Sequence, residues 1–477
     1  MKFIVDNGPH IKDKDNTSKI MKRLLIALLP IIIFSIYKNG IIPYQRDYIS
    51  FWQALRPLFM ILIAVVTSLL AEGLYVHLIL KKTKKDLIAY LKHSYALFPG
   101  LFLALILPIN TPLWAVIFGA FIATIIGKML FGGFGYNIFN PALIGYLFVT
   151  ASYGSLIAAR GGHLNGMEID TISKATPLTN LSNVGYIGTW DNIGASFGSL
   201  WDYFFGFIPG TIGETSKILI LTALIFLILT KVIKWRIPVI YILTVFIMTF
   251  IIAIYNNIGV WYPLFHILSG SILFGAVFMA TDPVTSPVTK IGQVIFALGL
   301  GLLTVIFRFL TPYPEGVLTA ILSMNMLVFI LDRIGAKSKF NPKKTILPLS
   351  ILVLLIFGIS LYIGNNLKSD DPVVDDRVKI IDITTTANKT IYNVTSKGFK
   401  GLIKAELVIE NNNIINITII EQHESYWDEI ENNDYINKLI EEQDAIREVD
   451  TISGVTVSSQ ALKLMVITVL DHYEGNR

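Results

Sequence analysis

Up to Gly364 the chain alternates between long apolar stretches and short charged or Gly/Pro-containing turns. The apolar stretches are 21–37, 55–80, 95–109, 113–131, 139–158, 216–233, 237–256, 263–280, 290–309, 315–333 and 345–364. Most approach the roughly 20 residues that cross a bilayer as a helix, so the pattern predicts eleven spans. Several are short or carry helix breakers (Pro99, Pro108, Gly132, Gly133, Gly135), which bundles tolerate where helices pack or line a cavity. After Gly364 the pattern changes. Residues 365–477 are rich in Asp, Glu, Asn and Lys, and no further span occurs. The β-branched or alternating runs 391–394, 402–410 and 414–421, with Asn411–Asn413 between the last two, predict strands and a hairpin. Residues 433–446 and 457–473 read as helices. The expected fold class is mainly α, a polytopic membrane bundle followed by a C-terminal extracytoplasmic α+β domain. Its expected parts are a ten-helix region 1–340 with an outer loop 159–215, an anchor 341–368 and the domain 369–477.

Composition supports residence in lipid. The 477 residues are 53% hydrophobic and 15% charged, against about 25% charged in soluble domains. Cysteine is absent, which removes disulfides, Fe–S ligation, thiolate zinc and cysteine nucleophiles together. Redox chemistry would have to come from a bound cofactor. The net charge of +5 forms no basic patch, and nothing points to nucleic acid. Lys and Arg instead cluster by loop: Lys12–Arg23, Lys81–Lys85, Lys231–Arg236 and Arg333–Lys344. With eleven spans these clusters share one side, expected to be cytoplasmic. The loop 159–215 and the tail 369–477 then share the other side. The polar N-terminus and a first apolar run without a small-residue cleavage site give no expectation of a signal peptide.

Those two outer stretches carry one phrase twice, Asp170-Thr-Ile-Ser-Lys-Ala-Thr176 and Asp450-Thr-Ile-Ser-Gly-Val-Thr456. In the second, Gly454 permits a tight turn, and Ser453, Thr456, Ser458 and Ser459 set hydroxyls at a helix start. A helix N-terminus favours phosphate, yet Ser, Thr and Asp are also ordinary helix caps, and the residues alone do not choose between these readings. Among other polar groups, Glu214 and Asp282 stand at span ends and Glu72 lies within a span. Carboxylates at membrane depth are functional suspects, although caps and loop ion pairs explain such residues too. His77, His93 and His266 have no metal-ligand spacing. Gly132–Gly135 lacks the strand context of a dinucleotide loop.

The phrase at 450–456 resembles the flavinylation motif D-x-x-[ST]-G-A-[TS] of the FMN-binding domain found in the G subunit of Rnf complexes and the C subunit of the sodium-pumping NADH:quinone reductase. Val455 stands for the usual alanine, and His423-Glu424-Ser425 lies near that family's His-Glu-Thr. The resemblance implies that Thr456 is esterified to the phosphate of FMN, with Asp450, Ser453 and Gly454 in the motif and Ser458 and Ser459 beside it. Residues 1–340 resemble the D subunit of Rnf and the B subunit of the sodium pump. The carrying motifs are Gly132-Gly-Phe-Gly-Tyr-Asn137, Phe139-Asn-Pro-Ala142, Pro209-Gly-Thr-Ile-Gly-Glu-Thr-Ser216, Phe278-Met-Ala-Thr-Asp-Pro-Val-Thr-Ser-Pro287 and Tyr313-Pro-Glu-Gly-Val317. That family carries a second phosphoester FMN at a motif ending Ala-Thr-Pro-Leu. Here this implies Thr176, with Asp170 and Ser173 around it, Lys174 where glycine is usual, and Glu214 on the flavin-bearing side.

The resemblance therefore implies a D–G fusion that passes electrons between covalent FMN groups and couples this to Na⁺ or H⁺ movement in the cell membrane. It implies partner subunits that oxidise NADH or ferredoxin and carry Fe–S clusters, and a flavin transferase. A non-covalent riboflavin in the bundle stays open. An electron conduit without ion pumping is the alternative reading, and a plain solute transporter leaves the repeated phrase without a role.

Overall fold

The computed structural model describes residues 16–160, 176–183, 185–214, 216–311, 316–338, 341, 343–367, 378–386, 389–397, 401–410, 413–422, 424, 427–443, 446, 449 and 456–475. The chain divides into two compact units, Met1–Ser369 and Asp370–Arg477.

In the first unit α1 (Thr17–Ile36) starts at an Asn16 cap that accepts from Lys19 N–H and continues through a π-helical turn, Tyr37–Ile41, to Gln45. There follow α2 (Arg56–Leu78), α3 (Lys84–Ser94), α4 (Leu97–Ile106) and α5 (Leu113–Thr124), which ends in a second π turn, Ile125–Met129. Next are α6 (Pro141–Ala159), the short α7 (Pro177–Asn183) and α8 (Leu200–Phe205), α9 (Lys217–Leu229), α10 (Arg236–Tyr255) and α11 (Trp261–Leu268). Helix α12 (Ile272–Phe274) runs into a third π turn, Gly275–Met279. Helices α13 (Lys290–Leu310), α14 (Val317–Ser338) and α15 (Lys343–Asn366) close the unit.

Among the described residues six helical segments are long and apolar enough to cross a membrane alone, and two pairs, α3–α4 and α11–α12, are bent by 44° and 63°. Three further apolar helices, Leu113–Met129, Pro141–Ile157 and Lys217–Leu229, are shorter. Every predicted apolar stretch is thus helical, and among the described residues length supports six spans, or eight with the bent pairs, of the eleven expected. The chain is a multi-pass membrane protein on this showing. The α3–α4 break falls at Tyr95, in the left-handed conformation, and the α11–α12 break at Ser269–Gly270.

Small residues bring the helices together. A Cβ on Gly100 would stand 2.1 Å from the Ala64 carbonyl oxygen, and one on Gly145 would stand 2.5 Å from that of Gly119. Such contacts hold bundles together in lipid, where apolar burial drives little. Two loops are tied across the bundle. Asn325 accepts from Asn140 N–H at 3.2 Å and donates to the Thr285 carbonyl at 2.9 Å. Asp332 accepts from the N–H groups of Val288 and Thr289 and from the Thr289 hydroxyl, at 2.8–3.0 Å. Helix α15 is peripheral and packs on α10 and α13. Its end is fastened by Tyr255 Oη donating to Asn365 Oδ1 (2.8 Å) and Asn256 Nδ2 donating to the Gly364 carbonyl (3.1 Å).

The second unit is an antiparallel meander of β1 (Val378–Thr386), β2 (Lys389–Lys397), β3 (Leu402–Glu410) and β4 (Asn413–Glu421), in that spatial order. Alternation along β3 buries Ile403, Ala405, Leu407 and Ile409, as expected for a sheet covered on one face. The same core holds Ala461, Leu462, Met465, Val466 and Val469 of α18 (Thr456–Gly475), together with Trp427 and Ile430 of α16 (Trp427–Asn432) and Tyr435 and Leu439 of α17 (Tyr435–Glu441).

Candidate functional site

Thr176 caps α7. Its Oγ accepts from Thr179 N–H at 3.3 Å and lies 3.0 Å from the Thr179 hydroxyl, while Asn180 N–H donates to its carbonyl at 2.9 Å. Pro177 follows at the first helical position, where its missing N–H costs nothing. The cap is tied to its neighbours by burial and hydrogen bonds. Leu178 and Leu181 are buried, Asn180 Nδ2 donates to the Asn192 and Ile193 carbonyls, and Tyr262 Oη donates to the Tyr186 carbonyl at 2.8 Å. Trp190 packs against Tyr203, Trp261 and Phe265 beside it. Asp170 and Ser173 lie outside the described residues, as does Lys174.

Thr456 opens α18. Asp450, Ser453 and Gly454 lie outside the described residues. Ser458 and Ser459 are buried in the first turn, at 3% and 0% exposure. The Ser458 hydroxyl donates to Glu424 Oε2 at 2.6 Å, and the other carboxylate oxygen accepts from Gly401 N–H at 3.2 Å. Glu424 therefore clamps the start of α18 to the turn before β3, and Ser458 is committed to that clamp. The N-terminus of a 20-residue helix beside Thr456 suits a phosphate through its orphan N–H groups and dipole. An esterified Thr176 Oγ would still accept from Thr179 N–H.

Glu214 is buried, at 3% exposure; Oε1 accepts from Thr211 N–H at 2.9 Å and Oε2 has no partner among the described residues. It belongs to the same end of the bundle as α7 but faces inward. Sequence reasoning passed over three lysines near such groups. Lys128, in the second π turn, pairs with Glu72 at 2.7 Å and donates to the Ser94 carbonyl at 2.6 Å, with both side chains at 3% exposure or less. Lys217 donates to the carbonyls of Glu214 and Gly270, and Lys38, in the first π turn, donates to the Ile208 carbonyl. Their signal was a charge inside an apolar run, as in Ile-Ile-Gly-Lys128-Met-Leu.

A cavity of about 80 Å³ opens at the other end, among Tyr95, Lys128, Asn137, Asn140, Phe278 and Asp282. Asp282 accepts from the Thr285 hydroxyl at 3.0 Å and from Val284 N–H at 3.4 Å. Burial raises its carboxyl above the ordinary value, against the pull of those two bonds. His77 lies near the Lys82 carbonyl, and His266 is buried against Arg308. Among the described residues no group of three His, Cys, Asp or Glu could hold a metal.

Comparison with known proteins matches both units. Residues 4–341 match the NQR2, RnfD, RnfE family, and residues 398–471 match the FMN-binding domain. The D subunit of the proton-translocating ferredoxin:NAD(+) oxidoreductase complex of Clostridium ljungdahlii is 34% identical over 342 residues, covering 72% of this chain and 97% of that protein. Its counterpart in the Na(+)-translocating ferredoxin:NAD(+) oxidoreductase complex of Acetobacterium woodii is 36% identical over 339 residues, 70% of this chain and 93% of its own length. The D subunit of the ion-translocating oxidoreductase complex of Aliivibrio salmonicida is 28% identical over 382 residues, 72% of this chain and 100% of that protein. The chain belongs to the NQR2, RnfD, RnfE family and carries an FMN-binding domain after its membrane unit.

Proposed function

We propose that this chain is the flavin-carrying membrane subunit of an Rnf-type ion-translocating oxidoreductase, with FMN joined through phosphoester bonds to Thr456 and Thr176. One observation carries the reading: a membrane unit of the NQR2, RnfD, RnfE family and an FMN-binding domain stand on a single chain. The relatives belong to multi-subunit complexes named for ferredoxin, NAD⁺ and ion translocation. With no cysteine to ligate Fe–S clusters, this chain depends on other subunits for electron entry, and on a flavin transferase for its FMN. Bound FMN supplies one- and two-electron transfer.

The chain's own residues tether and position. The Glu424 clamp on Ser458 fixes the helix start that bears Thr456, and the aromatic base under α7 fixes Thr176. Covalent attachment keeps each group at high effective concentration. Asp450, Ser453, Gly454, Asp170 and Ser173 are assigned to the attachment motifs by resemblance. The N-terminus and the cavity end face the cytoplasm, and the 369–477 domain faces outward. A non-covalent riboflavin would find its seat in the cavity. At about 80 Å³ the cavity is smaller than the ~150 Å³ that holds a benzene, so Tyr95 and Phe278 would have to swing aside.

Intact mass of the purified chain, made with a flavin transferase, tests the tethers. Two FMN additions are expected, with one lost in Thr456→Ala and one in Thr176→Ala. A chain carrying none sinks the reading. Ion movement by the reconstituted complex separates it from a conduit that does not pump.

A further inference from the structure

The turn that joins α2 to α3 has no part in the flavin reading, yet it is densely basic. Lys81, Lys82, Lys84 and Lys85 stand there in close succession, and Lys92 follows along α3. Lys81, Lys85 and Lys92 are exposed, as is His77 before them. Their surroundings do not neutralise them. Asp86, the carboxylate of this stretch, is committed to the start of α3, where its Oδ2 accepts from the Thr83 hydroxyl at 2.6 Å. Among the described residues Lys81, Lys82, Lys85 and Lys92 make no ion pair. The turn itself is well tied. Ile79 N–H donates to the Tyr75 carbonyl at 2.9 Å and Lys82 N–H to that of Val76 at 3.3 Å. Lys81 takes the left-handed conformation, φ 52°, at a helix end where glycine is the favoured residue. The Lys82 ammonium lies 4.5 Å from the centre of the Tyr90 ring, a cation–π contact that orders it. Leu91 of α3 reaches back to α2 at Gly73, where a Cβ would stand 4.0 Å from Leu91 Cδ1.

An apolar track leads to these lysines. Leu62, Val66, Leu70, Leu74 and Leu78, one at every fourth position of α2, are 49%, 50%, 61%, 55% and 66% exposed. At the helical rise the track is about 24 Å long, enough for one leaflet of a hydrocarbon core roughly 30 Å thick. Ile79 and Leu80, also exposed, carry it up to Lys81. On α3 the spacing i, i+3, i+7 sets Lys85, Ile88 and Lys92 on one face, and Ile88 is exposed between the two charges. We infer that the α2–α3 corner is a seat for an anionic phospholipid, its phosphate held by Lys81, Lys82 and Lys85 and its acyl chains laid along the track toward Leu70. Basic clusters beside a membrane helix attract anionic headgroups. The sorting of positive charge in membrane proteins accounts for lysines gathering at one end of a bundle, but not for an ordered ammonium at the head of an exposed apolar track. A free phosphate or an acidic protein surface would meet the lysines and leave the track unused. A phospholipid has both parts in that order. The seat stands apart from the FMN assignments and does not rest on them.

The test is native mass spectrometry of the full-length protein in detergent, titrated with phosphatidylglycerol or with phosphatidylcholine of the same acyl chains. The first phosphatidylglycerol should bind about ten-fold tighter than the first phosphatidylcholine. Lys85→Gln, at an exposed position, should weaken phosphatidylglycerol about five-fold, the worth of one lysine beside an anionic headgroup, and Lys85→Arg should keep wild-type binding. Lys81→Gln, Lys82→Gln and Lys85→Gln together should bring the two lipids level. Lys231→Gln with Lys234→Gln, at the basic turn before α10, should leave the difference intact. Leu74→Ser with Leu78→Ser should weaken both lipids. Equal binding of the two lipids by the wild-type chain overturns the proposal, as does a preference that survives the triple variant or disappears in the Lys231 and Lys234 variant. Displacement of phosphatidylglycerol by an equal concentration of glycerol phosphate also overturns it, because the site would then hold an anion without a tail. So does loss of the preference in the assembled complex, which would give the lysines to a neighbouring subunit.

Discussion

Glu72 and Lys128 form an ion pair at 2.7 Å with almost no solvent access. Each lies in an apolar stretch, and each would be costly alone. The pair is held by a π turn, which shifts Lys128 toward Glu72 and the Ser94 carbonyl. Removing one partner of a buried pair typically costs about 3–5 kcal/mol, because the other charge is stranded. Lys128→Met is therefore expected to lower the thermal unfolding midpoint of the detergent-solubilised protein sharply. Glu72→Gln combined with Lys128→Met should recover most of that loss, and additive losses would show that the two do not act as a pair. Glu72 was visible in the sequence as a carboxylate within a span, whereas its partner was not. The two residues are 56 positions apart, and nothing in periodicity links them. Glu214 was legible as an acid at a span end, but its inward direction was not, since it depends on the close turn at Gly210 and on Lys217. Thr176 and Thr456, the proposed attachment points, stand out in the sequence because short motifs carry them, and the cap geometry at Thr176 was already among the readings the residues allowed.

At the level of elements, apolar periodicity located the membrane helices well and their interruptions poorly. The α3–α4 break falls on Tyr95, a residue with φ 52°, where nothing in the local sequence requests a left-handed conformation. Tertiary contact fixes it, as Tyr95 packs on Phe134 with ring centroids 5.0 Å apart. Strand β1 escaped notice because Val378–Thr386 puts apolar side chains on both faces, with Val378 buried while Ile381 and Ile383 are exposed. The short α16 also escaped, and α17 starts later than its predicted stretch because Asn432–Asp434 interrupts the helical run. Close packing gives a sharp test at this scale. Gly100→Ala places a methyl 2.1 Å from a backbone oxygen of α2, a contact no rotamer change relieves. Overpacking of this kind costs about 1–3 kcal/mol or more, so the variant should unfold at lower temperature and yield less protein. Gly154→Ala, where a Cβ meets nothing within 4 Å, should match the wild type. Equal stability of the two variants would remove the close α2–α4 approach from the account.

On the scale of the whole molecule, the sidedness of the bundle can be argued from the ends of its helices without counting spans. The cavity is lined by Ile20 and Met21 near the start of α1 and by Val232 and Ile233 before α10. That end carries Lys22, Arg23, Lys81, Lys82, Lys231, Lys234, Arg236, Arg333 and Lys337. The opposite end has fewer, Lys38, Arg46, Arg56, Arg160, Lys217 and Arg308. By the excess of positive charge the cavity end is expected to be cytoplasmic. Helix α10 starts there and ends at Tyr255, and Tyr255 and Asn256 hold Asn365 and Gly364 at the end of α15. The end of α15 therefore lies on the side opposite the cavity, which is also the side of α7 and Thr176. The FMN-binding domain and Thr176 are then expected in one compartment, outside the cell, although helix length supports only part of the eleven-span count from which the same sidedness was first expected. Trypsin added to right-side-out vesicles should cut after Lys368 or Arg377 and release the C-terminal domain. Sealed inverted vesicles should retain it until detergent is added. Release from the inverted vesicles alone would reverse the orientation and place both attachment threonines in the cytoplasm.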